Sequence, residues 1–369
     1  MAMGAEAAVF PAVRRVFHFG AGPAMLPPEV IAEIRDELPD FRGSGISILE
    51  LGHRTPAFQS LTHEIEGDLR RLLGIPDDYA VLFMQGGAAL QFAMVPLNLG
   101  APGAYLVTGQ WSLKALREAE RVAEARSVWG GTETGYTHLP AADDWQVPPR
   151  AAYLHYTVNE TIAGVEFHTT PASQGLPLVA DMTSMILARP VEVSKHAVIY
   201  ASAQKNLGVA GITLVILDPR VLRPSSGRRP SLLDYHHYIE TGSLPNTPPV
   251  FAWYVLGKML KWTQAQGGPE ALAIRNRRKA ETLYKVVDAS GFYINRVEKS
   301  CRSLMNVPFR LHDTALETVF LQEAGRQGLE YLAGHRSSGG VRASIYNAMP
   351  EAGVAALAEF MREFEHRHG

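Results

Sequence analysis

Short continuous apolar runs alternate along the chain with longer stretches in which apolar residues return every three or four positions. Ala80–Met84, Ala104–Thr108, Ala151–Tyr156, Pro177–Ala180, Ala197–Ala201 and Ile212–Leu217 are such runs, and they read as buried strands. Glu29–Leu38, Phe58–Leu73 and Ser112–Ala125 have helical spacing; Phe58, Leu61, Ile65, Leu69, Leu72 and Leu73 make one continuous stripe. Strands alternating with helices predict an α/β fold, here a large domain with a mostly parallel sheet over residues 17–260. In such a sheet, ligands bind beyond the carboxyl ends of the strands.

The pattern changes near residue 260. Phe251–Gln266 and Pro269–Ala289 read as helices, Tyr293–Val297, Ser303–Arg310 and Gly340–Tyr346 as strands, and Glu317–Gln327 and Glu351–His366 as helices again. This predicts a smaller α+β C-terminal domain over 261–369. Leu222–Pro249 has little periodicity and reads as an excursion toward another subunit. Residues 1–16 are Ala-rich, lack the basic start and apolar core of a secretory signal, and read as a flexible N-terminal extension.

Composition narrows the classes. The 35 basic and 37 acidic residues nearly balance, which gives no reason to expect nucleic acid or an anionic membrane as partner. No apolar stretch approaches the roughly 20 residues of a membrane helix. The single cysteine, Cys301, forms no intrachain disulfide and fits a reducing, cytoplasmic setting. No metal motif is read.

The chemistry gathers at the ends of the apolar runs. Lys205 lies between two of them, in Ser202-Ala203-Gln204-Lys205-Asn206. A lysine withdrawn from water between core strands is a candidate for carbonyl chemistry. Asp181 closes an earlier run, one strand–crossover–strand unit before it. Gly86-Gly87-Ala88-Ala89 opens a helix and offers backbone amides to a phosphate. Trp111 follows another run and offers a face for stacking; Thr161 and Gln204 offer polar contacts. Singly, each has a bland reading: turn aspartate, Gly-Gly turn, core tryptophan. Together they supply what pyridoxal phosphate requires, namely a lysine for its aldehyde, an acid for its ring nitrogen, an aromatic for its ring and a cradle for its phosphate. A second set, His53-Arg54, His335-Arg336 and Arg342, places basic groups in three separate segments and suits a substrate with an anion at each end.

Several strings are more specific. AGPAMLP (Ala21–Pro27), AMVPLNLG (Ala93–Gly100), HYTVNETIAG (His155–Gly164), SAQKNLG (Ser202–Gly208), NTPPVFAWY (Asn246–Tyr254), MNVPF (Met305–Phe309) and GHRSSGGVRASIYNAMP (Gly334–Pro350) resemble, in this order, the phosphoserine aminotransferases, class-V aminotransferases of the fold-type-I pyridoxal phosphate enzymes. The resemblance implies that Lys205 binds the cofactor aldehyde and moves the substrate proton. It implies that Asp181 pairs with the ring nitrogen, that Trp111 stacks on the ring, and that Thr161 meets the ring oxygen. Ala88, Ala89 and Gln204 would hold the phosphate, joined by Asn246 and Thr247 from the second subunit of a homodimer with sites at its interface. Arg342 would take the α-carboxylate, and His53, Arg54, His335 and Arg336 the distal anion, some of them across the interface. The implied reaction passes the amino group of L-glutamate to 3-phosphohydroxypyruvate in serine biosynthesis, and admits 4-phosphohydroxy-L-threonine formation for vitamin B6 beside it.

There are two departures: Ala89 stands where some members carry arginine, and Ala21 where some carry serine. The nearest alternative is another fold-type-I transaminase, such as an alanine–glyoxylate transaminase. A cysteine desulfurase is disfavoured because Cys301 precedes a predicted strand rather than lying in a mobile loop. A non-catalytic cofactor carrier would not need the full set of anion-binding groups.

Overall fold

The computed structural model describes residues 16–225 and 229–369. Apart from Val16, the expected N-terminal extension lies outside the described residues, as do positions 226–228 of the excursion. The central sheet has seven strands: β1 (Ala80–Met84), β2 (Gly103–Val107), β3 (Ala125–Gly130), β4 (Tyr153–Thr157), β5 (Leu178–Asp181), β6 (Val198–Ser202) and β7 (Thr213–Leu217). Their order across the sheet is β1-β7-β6-β5-β4-β2-β3. Neighbours run parallel except at β7, which is antiparallel to both β1 and β6.

The continuous apolar runs follow from burial on both faces. Strands β2, β4, β5, β6 and β7 are buried at every position. Ile199 and Ala201 of β6 point into the core shared with helices Pro56–Leu73 and Val250–Ala265, whereas Val198 and Tyr200 point into the core shared with helices Gly87–Leu99 and Gln110–Glu120. Strand β3 departs from the reading, because the helix expected to reach Ala125 ends at Glu120. An edge strand with one neighbour keeps Arg126 and Ser127 in water, so no apolar run announces it. The excursion contains a short helix, Tyr235–Glu240, started by the Asp234 carboxylate, which accepts from the His236 amide.

Beyond helix Gly268–Ala289, β8 (Tyr293–Ile294), β9 (Asn306–Leu311) and β10 (Val341–Ser344) form an antiparallel sheet in that order. It is covered by helices including Glu351–His368. This cluster also takes in Phe19, whose segment Phe17–His18 pairs with Leu329–Glu330. Phe17–Phe19 therefore pack against the C-terminal part, ahead of the strands of the large sheet. The described residues include no helix long and apolar enough to cross a membrane.

Candidate active site

Because β1, β2, β4, β5 and β6 run the same way, the segments after them converge at one edge of the sheet. There they surround a cavity of about 420 Å³, lined by Trp111, Thr161, Asp181, Gln204, Lys205, His335 and Arg342 among others. Lys205 is 8% exposed, and its Nζ donates to Thr161 Oγ1 at 2.9 Å. Asn206, the next residue, anchors the turn: its amide nitrogen donates to Ile186 O (3.0 Å) and its oxygen accepts from Asn347 N (3.1 Å). The Gly22 backbone packs on the Lys205 stem at a positive φ of 143°. Ala24 N donates to Gln204 O, and Tyr346 Oη to Ala21 O.

Asp181 closes β5 in register with Thr157 and Tyr200. It is buried, and Oδ1 accepts from Thr183 N at 2.9 Å. Burial pushes its pKa up, against the hydrogen bonds from Thr183 and the charge of Lys205. A cation at the carboxylate would reverse that shift.

Two helices start at this cavity. Gly86 and Gly87 both have positive φ, 93° and 70°, a conformation that needs glycine and turns β1 directly into helix Gly87–Leu99. Ala88 and Ala89 lie in its first turn, where the helix makes no use of the amides. The Ala88 amide donates to Ser202 Oγ at 2.6 Å. At the start of helix Gln110–Glu120, the buried Glu160 carboxylate accepts from the amides of Trp111 (3.0 Å) and Ser112 (2.8 Å) and from Ser112 Oγ (2.6 Å). Trp111 faces the cavity, its Nε1 buried without a partner, and Lys114 Nζ lies 5.6 Å from the ring centroid.

The basic groups divide. Arg342 on β10 and His335 line the cavity, and Arg342 Nε is buried without a partner among the described residues. Burial lowers the pKa of Arg342; burial and the charges of Arg342 and Arg336 lower that of His335. His53, Arg54 and Arg336 do not line the cavity, nor do Asn246 and Thr247, which are exposed and accept from Gln85 Nε2 at 3.0 and 3.3 Å. Glu160, Ser202, Lys114 and Tyr346 were not singled out in the sequence. Glu160 and Tyr346 sit inside the specific strings, but their partners lie far away in the chain and leave no local signal.

The aminotransferase class-V family profile matches residues 16–357. A phosphoserine aminotransferase from Hahella chejuensis is 50% identical over 96% of this chain and 99% of its own. The chain belongs to the phosphoserine aminotransferase family. The structure of a phosphoserine aminotransferase from Bacillus circulans subsp. alkalophilus is 41% identical with a TM-score of 0.94, covering 97% of this chain and all of its own. The PLP-bound phosphoserine aminotransferase from Trichomonas vaginalis is 36% identical with a TM-score of 0.89, covering 94% of this chain and all of its own.

For a phosphoserine aminotransferase, the donor set fits pyridoxal phosphate. The site presents a buried amine, a buried acid raised by desolvation, an indole at the wall and a helix start without an N-cap side chain, in a cavity within the usual size range for small ligands.

Proposed function

We propose that this protein passes the amino group of L-glutamate to 3-phosphohydroxypyruvate, giving O-phospho-L-serine and 2-oxoglutarate, a step of serine biosynthesis. What carries the reading is Lys205, buried opposite Asp181 in a cavity that also holds the unpartnered Arg342 Nε, in a chain half identical to a phosphoserine aminotransferase.

The cofactor, pyridoxal phosphate, supplies an aldehyde that takes up the amino group and a ring that withdraws electrons from the substrate α-carbon. Lys205 would bind that aldehyde, and its Nζ, once released, would move the proton between the substrate α-carbon and the carbon that bore the aldehyde, with Thr161 Oγ1 as its resting partner. Asp181 holds the proton on the ring nitrogen, where a cation relieves its desolvated carboxylate. Trp111 covers the ring face. Ala89, Ala88 and Gln204 hold the phosphate at the start of helix Gly87–Leu99. Arg342 takes the α-carboxylate in bidentate fashion.

His335 lines the cavity, and we assign it to the distal anion. His53, Arg54, Arg336, Asn246 and Thr247 lie outside this chain's own cavity, and we read them as reaching the site of a second copy in a homodimer. The exposed apolar Ile46 and Leu49 beside His53 support an interface there. We place the protein in the cytoplasm and divide it near residue 260, with Phe17–Phe19 joining the C-terminal body. The relatives give no support to the alanine–glyoxylate alternative.

The test is acceptor choice. With L-glutamate as donor, 3-phosphohydroxypyruvate is expected to exceed glyoxylate in kcat/KM by about 100-fold or more, because the smaller acid leaves the cationic groups for the distal anion unfilled. Turnover with L-alanine and glyoxylate but not with the phosphorylated acid would overturn the reading.

A pH dependence follows from His335. Its pKa is lowered in the free protein, and a bound dianion raises it, so binding takes up a proton. Affinity then falls as pH rises. Between about pH 6 and 8, KM for 3-phosphohydroxypyruvate is expected to rise up to about tenfold, and His335→Gln to flatten the profile.

A further inference from the structure

Glu160 is fully buried, and both of its carboxylate oxygens are engaged by the first turn of helix Gln110–Glu120. The helix needs an outside acceptor because Gly109, the residue before it, has no side chain to cap it. The two positions are matched. Gly109 has a φ of 179°, extended backbone open to any residue, but a Cβ there would collide with the Glu160 carboxylate. Glycine is needed for space, not conformation.

The flanking residues are fixed as well. Thr161 accepts from Lys205 Nζ, and Asn159 Nδ2 donates to Ser184 Oγ and Asn306 Oδ1, both at 2.8 Å. Glu160 thus ties the strand end that meets Lys205 to the backbone of Trp111.

Resting on the reading that Trp111 stacks on the cofactor ring, we propose that Glu160 is a positioning residue: it holds the Trp111 backbone so that the indole covers the ring. A carboxylate bonded to two amides is a stronger acceptor than a neutral amide and favours the positive end of the helix.

The experiment is a double-mutant cycle read on the holoenzyme by the rate of pyridoxal phosphate release and by the visible circular dichroism of the bound cofactor. Glu160→Gln keeps the side-chain volume but loses the charge. It is expected to speed release about tenfold and weaken the dichroic band, the effect of one charge-assisted hydrogen bond. In a Trp111→Ala background, the same substitution is expected to change release less than about twofold, since its effect passes through the indole. A purely structural role would give the full effect in both backgrounds and overturn the proposal. If Trp111→Ala speeds release and Glu160→Gln does not, the proposal fails and the stacking reading stands. If Trp111→Ala changes nothing, the stacking reading fails and takes the proposal with it. Should Glu160→Gln not fold, Gly109→Ala, which displaces the carboxylate with a methyl group, is run through the same cycle with the same expectations.

Discussion

Lys205→Ala is expected to lower kcat by about 10⁴-fold or more, roughly 5.5 kcal/mol of transition-state stabilisation, while the protein stays folded. On the proposed mechanism two functions are lost together: the amine that would bind the cofactor aldehyde and the base that would move the α-proton. Among the described residues, Lys205 Nζ has one hydrogen-bond partner, Thr161 Oγ1, and no ion pair. Removing it therefore strands a single hydroxyl beside a cavity that admits water, so the cost to folding is small. The turn itself is held by Asn206 through Ile186 and Asn347, which the substitution does not touch. Single-turnover assay with L-glutamate and far-ultraviolet circular dichroism check the two halves of the expectation. Activity above about a hundredth of the parent would mean that another group moves the proton.

The second large effect is on stability. Lys279, on helix Gly268–Ala289, is 1% exposed, and its Nζ donates to Ile345 O (2.9 Å), Tyr346 O (2.7 Å) and Met349 O (3.1 Å). These carbonyls follow β10, the strand of Arg342, and Tyr346 in turn holds Ala21 O at the rim of the site. Lys279→Met keeps the stem and removes every donor. Tyr346 O retains the Met349 amide; the lysine's bonds to Ile345 O and Met349 O are lost outright. At pH 9 the neutral amine has two N–H groups for these carbonyls, and the expected loss is about 2 kcal/mol.

The pH dependence has a definite sign. Burial, with Arg275 adding and Glu351 opposing, lowers the Lys279 pKa to about 7. The unfolded chain has the ordinary value near 10.4 and so binds more protons between the two. Parent stability therefore rises with pH from about 7 upward, and that rise is absent in Lys279→Met. The difference between them narrows at pH 6. Urea unfolding of both proteins at pH 6 and 9 reads it; a difference independent of pH would show that Lys279 does not titrate in this range.

Much of the sheet was legible because strands buried on both faces are apolar at most positions, as β4 to β7 are. The site was legible for a related reason. A parallel sheet brings its strand ends together, so Trp111, Thr161, Asp181 and Lys205 converge although they are far apart in sequence. Strand β3 was missed because an edge needs no apolar run. Glu160 and Lys279 were missed because a buried charge is written in the same letters as an exposed one. What distinguishes them is a set of backbone partners dozens of residues away, the Trp111 and Ser112 amides for Glu160 and the carbonyls after β10 for Lys279. Arg336, Asn246 and Thr247 show the opposite case. Their strings were specific, yet this chain keeps them out of its own cavity.

The most direct measurement is the absorbance spectrum of the purified protein with pyridoxal phosphate, before and after addition of L-glutamate. The account predicts a visible band that moves to shorter wavelength with L-glutamate and returns with 3-phosphohydroxypyruvate, and that is missing in Lys205→Ala. A band that ignores L-glutamate but answers to another amino acid would contradict the substrate assignment. No band in the parent protein would contradict the central role of Lys205.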